Sequence, residues 1–469
     1  MKPSFTTSIW LASAISPLVS AVDIDWTSSS SIKDGAATIA YGLMAYYTGN
    51  NTGDVPGNLP DPYYWWEAGA MFGTMVDYWA YTGDTTYVNE TYTALQHQVG
   101  DDNDFMPTNQ TRTEGNDDQG FWALSAMTAA EVNFMNPNST EAGGVQWLAL
   151  AQAVFNEYVG RWDEEDCGGG LRWQIFTFNN GYTYKNSISN GCFFNIGARL
   201  ARYTGNQTYA DWAGKVFDWM ETIGFIDENY NIFDGAGFST SEQCTAVDKT
   251  QWTYNAGIWM HGAAVMYNIT NGTAQTKWEN RTQGILTRAA SYFFNSSIMY
   301  EPPCEPQSTC TTDSLSFKAY FARWLAGTAQ MATFTWDTIS SLLSASAQAA
   351  ALQCSGTATT ADGYKGLTGT ACGSHWTAGS TWDGTNGVGQ QMSALSAVVY
   401  SQVMAWSPSI FSEATGGTST GDASAGQTKT DASLATLKAI TTGDRAGAAI
   451  LTMGTIGGLL LGCFFMVKD

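Results

Sequence analysis

The chain has 469 residues, of which 42 are acidic and only 20 are basic, giving a formal net charge of −22. Such an acidic chain lacks the cationic surplus that releases counterions from phosphate, which excludes nucleic acid as a partner. Hydrophobic residues make up 44% and charged residues only 13%, so we expect a large core and a surface whose polarity is mostly uncharged.

The first 21 residues predict a secretory signal peptide. Lys2 is followed by a mostly apolar stretch from Ser8 to Val19 and by small residues that end at Ala21, which is the order of a basic start, an apolar run and a cleavage site. A secreted protein is therefore expected, and nine Asn-x-Ser/Thr sequons support that expectation. The predicted N-glycosylation sites are Asn50, Asn89, Asn109, Asn138, Asn206, Asn268, Asn271, Asn280 and Asn295.

Apolar side chains recur with a helical period between residues 32 and 407. A turn phrase recurs at Tyr46–Asn50, Ala80–Asp84 and Arg202–Asn206, with a looser copy at Tyr267–Gly272. In this phrase we expect glycine to take the left-handed position that ends one helix, and Asp or Asn to cap the next. Repeated phrases of this kind are typical of antiparallel helix hairpins.

Reading helices between these turns predicts six hairpins. The predicted helices span 32–48, 64–82, 84–99, 117–134, 141–160, 186–204, 206–223, 252–268, 273–294, 312–328, 334–352 and 388–405. Twelve helices in this arrangement predict an all-α fold, an (α/α)6 barrel or toroid. In such a barrel the longer loops gather at one mouth, where a ligand would bind.

Seven cysteines precede the C-terminal apolar run, and an oxidising compartment favours disulfides. The expected pairs are Cys304 with Cys310, Cys354 with Cys372, and Cys167 with Cys244. Cys192 lies in an apolar helical run and is expected to be a free, buried thiol. There is no Cys-x-x-Cys pair and there are only three His, so we expect no metal and no other cofactor.

Asp117 and Asp118 are the candidate catalytic residues. They open a predicted helix within the phrase Gly115–Trp122. Acidic residues favour helix N-termini because they cap free N–H groups, so a purely structural role is the alternative. One carboxylate suffices for a cap, however, and two adjacent carboxyls push their pKa values apart, which is the chemistry of a glycosidase pair. Glu67, Asp234 and Asp383 are weaker candidates.

Aromatic residues cluster at the predicted loop–helix junctions, and sugars stack their C–H faces on such rings. The chain has 19 Trp and 22 Tyr, most of which would fill a core, but several at hairpin mouths together favour a carbohydrate groove. The candidate substrate-binding residues are Tyr64, Trp65, Trp66, Asn116, Trp122, Trp173, Tyr254 and Trp382.

An apolar run from Ala446 to Val467 lies near the C-terminus, with only Lys468 and Asp469 after it. Its length would allow a membrane span, but no basic flank follows. Small residues ending at Gly443 precede it, as in a glycosylphosphatidylinositol signal that is removed with attachment at that residue. The predicted parts are a signal peptide (1–21), the (α/α)6 domain (22–407), a Ser/Thr/Gly-rich linker (408–443) and a propeptide (444–469).

Several phrases of the chain resemble glycoside hydrolase family 76, the α-1,6-mannanases, and within it the fungal, membrane-anchored cell-wall branch. The phrases are Tyr63–Asp84, Asn116–Glu131, Cys167–Trp173, Tyr184–Asn206, Thr253–Ala264, Phe317–Leu325 and Gly389–Leu395. The resemblance implies an (α/α)6 barrel and a retaining mechanism. It also implies that Asp117 is the nucleophile and that Asp118 is the general acid and base.

The acceptor decides the biological role that this resemblance implies. With water the protein would be an endo-acting α-1,6-mannosidase. With a sugar hydroxyl it would be a transglycosidase that moves the glycan of a protein's lipid anchor to cell-wall glucan, working from the outer face of the plasma membrane. Two alternatives come from other classes. A non-catalytic glycan-binding protein would gain nothing from two like charges, and an enzyme acting on uronic acid polymers would need basic residues in the groove.

Overall fold

A computed structural model describes residues 22–138, 144–239, 243–427, 451–453 and 455–456. In these ranges twelve helices follow the predicted order, with a short thirteenth after them. They are α1 Ser29–Met44, α2 Trp65–Thr82, α3 Val88–His97, α4 Asn116–Glu131, α5 Trp147–Arg161, α6 Ser187–Thr204, α7 Gln207–Thr222, α8 Thr253–Ile269, α9 Gly272–Tyr292, α10 Phe317–Met331, α11 Trp336–Gln353, α12 Val388–Tyr400 and α13 Val403–Trp406.

The even-numbered helices form an inner ring, in which each packs against the next and α12 closes on α2. The odd-numbered helices pack outside their neighbours. Burial reflects this position, because inner α6 buries 16 of its 18 residues whereas outer α9 buries only 6 of 21, along one stripe. The predicted (α/α)6 barrel is therefore confirmed.

Loop lengths distinguish the two ends of the barrel. Connections from an inner to an outer helix are mostly short, such as 205–206 and 270–271, whereas those from an outer to an inner helix are long, such as 162–186 and 223–252. The inner helices therefore begin at one mouth, beneath the long loops. At the short end, Gly83 and Gly205 take the predicted left-handed conformation, with φ of 76° and 70°.

The copy of the turn phrase at Tyr46–Asn50 does not have the predicted geometry. Gly49 is absent from the left-handed glycines of the described chain, and α1 has already ended at Met44. Glycine is needed here for space instead, because a methyl group on Gly49 would lie 2.6 Å from the hydroxyl of Tyr47. The prediction of a helix-ending glycine at this position is wrong.

Residues 408–426 form a strap against the barrel. Arg202 donates a 2.6 Å hydrogen bond to the carbonyl of Ile410, the backbone N–H of Leu148 donates to Ser419, and Asn156 donates to the carbonyl of Ala425. These residues lie within the predicted Ser/Thr/Gly-rich linker (408–443), but as far as Gly426 they belong to the same compact unit as the barrel. The strap's backbone carbonyls and the Ser419 side chain accept hydrogen bonds from neighbouring helices, so the compact unit ends at Gly426.

The disulfides agree with the predicted pairing. Cys167 bonds to Cys244, Cys304 to Cys310 and Cys354 to Cys372, and Cys192 is free and buried. All nine sequon asparagines are exposed. The signal peptide, Gly443 and almost all of the C-terminal apolar run lie outside the described residues. Among the helices that are described, none is long and apolar enough to cross a membrane.

Candidate active site

The first turn of α4 carries the aspartate pair. Gly115 precedes the helix in an extended conformation, and its backbone N–H donates a 2.6 Å hydrogen bond to Oδ2 of Asp118. Oδ1 of Asp117 accepts the backbone N–H of Asp118 at 3.2 Å. Asp118 thus occupies the third helical position, from which an acidic side chain reaches back to the N-cap.

Gly115 lies so close to both carboxyls that a side chain there would displace them. A methyl group on its Cα would lie 2.4 Å from Oδ1 of Asp117, 3.3 Å from Oδ2 of Asp118 and 3.0 Å from the carbonyl of Trp173. Since both carboxyl oxygens face this one point, they lie within about 6 Å of each other, which is nearer the spacing of a retaining pair than of an inverting one.

Asn116 fixes where the helix begins. Its backbone N–H donates to the carbonyl of Trp173 and its side chain donates to that of Arg172, both at 2.8 Å. Its side-chain oxygen accepts a 3.0 Å hydrogen bond from Arg161. The prediction that Asn116 contacts substrate is not supported, because it is buried behind the cavity wall and positions the aspartates instead.

A cavity of about 600 Å³ opens at the mouth around the pair. Of the eight predicted substrate-binding residues, Tyr64, Trp65, Trp66, Trp173 and Tyr254 line it. The other lining residues are Gln110, Thr113, Glu114, Asp117, Asp118, Phe121, Gln174, Tyr184, Asn186, Asp234, Asp313 and Phe317. In the described part of the chain, five carboxyl groups line this cavity and no Lys or Arg side chain does.

Trp122 and Trp382 are corrections to the predicted set. Trp122 is fully buried and stacks behind Trp65, with ring centroids 5.1 Å apart. Its other stacking partner is Phe105, with ring centroids 5.9 Å apart, so Trp122 belongs to the core. Trp382 donates to the carbonyl of Thr385 within the loop before α12 and packs on Gly356. Trp122 therefore supports the cavity wall from behind, whereas Trp382 does not line the cavity.

A small antiparallel sheet brings distant residues to the cavity. Strand β1 (Tyr184–Asn186) pairs with β2 (Gly235–Gly237), which pairs with β3 (Val247–Asp248). Asn186 caps α6 and its amide lies 3.5 Å from Oδ2 of Asp117. The hydroxyl of Tyr184 donates a 2.7 Å hydrogen bond to Asp234. From the sequence we could predict only that these residues lie before helices. Their contact was not predictable, because Tyr184 and Asp234 are 50 positions apart.

Glu114 and Asp313 were not predicted. Glu114 is 2% exposed, and neither of its carboxyl oxygens has a hydrogen-bond partner among the described residues. Asp313 accepts a 3.2 Å hydrogen bond from the indole of Trp66. Among the weaker candidates, Asp234 lines the cavity, whereas Glu67 and Asp383 do not. The sequence signal available for Glu114 was its position just before the aspartate phrase.

Burial dominates the protonation of this cluster. It raises the pKa of Asp118 to about 7, even though the N–H of Gly115 favours the charged form. Burial, followed by the charge of Asp118, raises the pKa of Asp117 well above its usual range and does the same for Glu114. At neutral pH the cluster therefore holds protons that exposed carboxyls would have released, as a general acid requires.

A helical toroid that holds two adjacent carboxyls between aromatic walls defines a glycoside hydrolase. The family profile described as glycosyl hydrolase family 76 matches residues 31–413. The chain belongs to this family.

Relatives and solved structures agree over most of the chain. Mannan endo-1,6-alpha-mannosidase DCW1 of Saccharomyces cerevisiae is 48% identical, covering 94% of each chain. Mannan endo-1,6-alpha-mannosidase DFG5 of Candida albicans is 42% identical, covering 96% of each. Dfg5 from Chaetomium thermophilum, solved in complex with glucosamine, has a TM-score of 0.80 at 43% identity and covers 88% of this chain and 99% of its own.

A bacterial structure shares the fold at much lower identity. The α-1,6-mannanase GH76A of Salegentibacter has a TM-score of 0.60 at 16% identity, covering 79% of this chain and 99% of its own. An inactive variant of that enzyme, with two consecutive aspartates replaced, was solved in complex with alpha-1,6-mannotetrose.

Proposed function

We propose that this protein is a retaining, endo-acting α-1,6-mannosidase of fungal cell-wall biogenesis, which also transfers the cleaved glycan to a sugar acceptor. The observation that carries the proposal is the adjacent pair, Asp117 and Asp118, facing an aromatic cavity that no basic residue lines in the described chain. A cavity of this kind suits an uncharged or cationic glycan. It disfavours binding of a uronic acid polymer, because the acidic lining would repel the carboxylates of the polymer.

The proposed reaction has two displacements. Asp117 attacks the anomeric carbon and forms a glycosyl-enzyme ester, while Asp118 gives its proton to the departing glycosidic oxygen. Asp118, now a carboxylate, then takes a proton from water or a sugar hydroxyl, whose oxygen attacks the anomeric carbon and releases Asp117. Two inversions give net retention, in keeping with the short distance between the two carboxyl oxygens.

Two indications disagree on the order of these roles. The family resemblance gives the nucleophile to Asp117, yet burial and the charge of Asp118 raise the pKa of Asp117 well above its usual range, and a raised pKa ordinarily marks the acid. We adopt the family order, because Asp117 also accepts a hydrogen bond from Asn186, which stabilises its charged form.

The names of the relatives support α-1,6-linked mannan as the substrate class. The carboxyls of Asp234 and Asp313 add a second feature, since they would attract an amino sugar next to the mannose chain. The Chaetomium relative was solved with glucosamine. We therefore propose that the donor is the mannose-containing glycan of a protein's lipid anchor, and that cell-wall glucan is one acceptor.

The proposed location is the outer face of the plasma membrane and the cell wall. It rests on the predicted signal peptide, on the nine exposed sequon asparagines and on the proposed attachment of a glycosylphosphatidylinositol anchor at Gly443. Such an anchor would place the enzyme between a membrane-bound donor and the wall.

Substitution of each aspartate tests the proposed function. We expect Asp117→Asn and Asp118→Asn to lower turnover of α-1,6-mannooligosaccharides by at least about a thousandfold with an unchanged circular dichroism spectrum. Asp101→Asn, an exposed acid on the neighbouring loop, is the matched control and should keep full activity. Full activity in either variant of the pair would refute the proposal. Saturable binding without turnover by the native protein, for every donor and acceptor offered, would favour the glycan-binding alternative.

A further inference from the structure

Residues 173–184 form an uncharged segment of the mouth, which we call the aromatic rim. They read WQIFTFNNGYTY and contain no Asp, Glu, Lys or Arg in twelve positions. Five of the twelve are aromatic, namely Trp173, Phe176, Phe178, Tyr182 and Tyr184. Trp173 and Tyr184, at the two ends of the rim, line the catalytic cavity.

Between those two ends, two phenylalanines present rings to solvent. Phe176 and Phe178 stack on each other with centroids 5.4 Å apart and planes 15° from parallel. The side chain of Phe178 is 51% exposed, and Phe176 is partly exposed. The two residues are not part of the buried core. A pair of parallel, exposed rings exposes apolar surface that folding alone does not require.

The rim is held in place before any ligand arrives. The backbone N–H of Trp173 donates a 2.7 Å hydrogen bond to the carbonyl of Tyr184, which closes the base of the segment. At its tip, the amide of Asn179 donates to the carbonyl of Arg112 at 2.9 Å and to Gln174 at 3.0 Å. Because these bonds tie the rim to the loop that leads into α4, the rings would lose little conformational freedom on binding.

The rim continues the wall of the cavity outwards. The cavity of about 600 Å³ holds only a few sugar units, so a longer chain that is cut within its length has to leave over the edge. Trp173 and Gln174 line the cavity, and Phe176 and Phe178 follow them directly on the same anchored segment.

We propose that Phe176 and Phe178 form an outer binding platform for a neutral hexopyranose unit of a glycan chain that extends out of the catalytic cavity. The apolar C–H face of the sugar would lie on the exposed rings, and its hydroxyls would reach exposed neighbours such as Thr177 and Asn180. No residue of the rim itself is charged, which favours a neutral ligand there. This inference rests on the proposed function, because it assigns an outer subsite to the same reaction.

A chain-length series tests the platform. The native protein, Phe178→Ala and the double variant Phe176→Ala/Phe178→Ala are compared on α-1,6-mannooligosaccharides of two to six units, and then with glucan oligosaccharide acceptors of increasing length. We expect kcat/KM for the shortest substrate to stay within twofold of native. In the series whose chain crosses the rim, the increase in kcat/KM from the shortest to the longest oligosaccharide should be about tenfold smaller than in the native protein. The affected series identifies the chain as donor or acceptor.

Two control variants make the result specific. Phe178→Tyr keeps a ring and should retain the full chain-length gain. Phe334→Ala removes an exposed phenylalanine (39%) between α10 and α11, at the short-loop end of the barrel, and should change neither series. An unchanged gain in both series for the double variant would overturn the platform.

Equilibrium binding separates this inference from the proposed function. In protein made inactive by Asp118→Asn, isothermal titration with the same oligosaccharides should show the double variant losing affinity only for the longer ones. If the native protein turns over no α-mannoside, the proposed function fails. The titration still decides the platform, since equal affinities with and without the two rings would refute it.

Discussion

The backbone N–H of Gly115 donates a 2.6 Å hydrogen bond to Oδ2 of Asp118, so the residue that precedes helix α4 also orients one carboxyl of the candidate catalytic pair. Capping and chemistry are therefore not alternatives here. The second position of the pair, Asp117, is left with its carboxyl beside Asn186.

The first prediction concerns Gly115. We expect Gly115→Ala to lower kcat by about a hundredfold or more while KM changes little, because the methyl group would displace the carboxyls of Asp117 and Asp118 from their positions. The backbone of Gly115 has φ of −87°, which alanine adopts freely, so the free energy of unfolding should change far less than activity. Steady-state kinetics and denaturant unfolding of the same sample measure both. A variant with native kcat would show that the close approach of Gly115 is unimportant.

The second prediction assigns the two catalytic roles by the products of azide rescue. In Asp117→Gly, azide would attack an activated α-mannoside directly and give the β-mannosyl azide. Without the nucleophile the reaction is a single displacement, which inverts the anomeric carbon once. In Asp118→Gly, azide would attack the glycosyl-enzyme and give the α-azide, after two inversions. The coupling constants of the anomeric carbon and proton in the isolated azide distinguish the two. The reverse pattern would exchange the roles of Asp117 and Asp118.

The third prediction concerns pH. Since burial raises the pKa of Asp118 to about 7, the proton that the acid must donate is lost as pH rises, and kcat/KM should fall above about pH 7. Burial, followed by the charge of Asp118, raises the pKa of Glu114 well above its usual range, which favours the neutral form of Glu114 in this interval. Glu114→Gln should therefore leave the alkaline limb within about 0.3 pH units of native.

Asp313→Asn is the contrasting variant, because the charge of Asp313 raises the pKa of Asp118. Removing that charge should move the alkaline limb to lower pH. A similar downward shift in Glu114→Gln would mean that Glu114 is charged in the working enzyme, contrary to this account.

The helices and two of the three disulfides were predictable from sequence because each depends on local pattern or on short spacing, whereas Cys167 and Cys244, 77 positions apart, were paired only as the remaining cysteines. Gly83 and Gly205 end helices as their phrases predicted, and Cys304 and Cys310 are six positions apart. The cavity was only partly predictable, because its wall combines residues from several long loops. Asp313 reaches the site through Trp66, nearly 250 positions away, and no local pattern indicates such a contact.

The same reasoning applies at the C-terminal boundary of the compact unit. A stretch rich in Ser, Thr and Gly is typical of a flexible linker, yet backbone carbonyls of residues 408–426 and the Ser419 side chain accept hydrogen bonds from helices α5 and α6. Composition reports the freedom of an isolated segment and does not reveal a partner that is distant in sequence, such as Leu148 for Ser419.

The fourth prediction follows from that strap. A mature chain that ends after Ser407 should be less stable than one that ends after Gly426 by roughly 3–6 kcal/mol, because the conformational entropy of ordering the strap offsets part of the ~1 kcal/mol that each of its hydrogen bonds contributes. The strap's bonds to Arg202, Leu148 and Asn156 are among those lost. Urea unfolding followed by tryptophan fluorescence measures the difference. Coincident unfolding curves would show that the strap contributes nothing to the stability of the barrel.

The most direct test of the central claim is the anomer that the mature protein releases first from an α-1,6-mannooligosaccharide, followed by proton NMR in real time. A retaining endo-mannosidase built on Asp117 and Asp118 is expected to release shorter α-anomers from internal bonds before mutarotation, and to give elongated or acceptor-linked products when a sugar acceptor is added. Initial release of the β-anomer would contradict the retaining pair. Absence of any product with hydrolytic or transfer conditions would contradict the assignment of this cavity to mannoside cleavage.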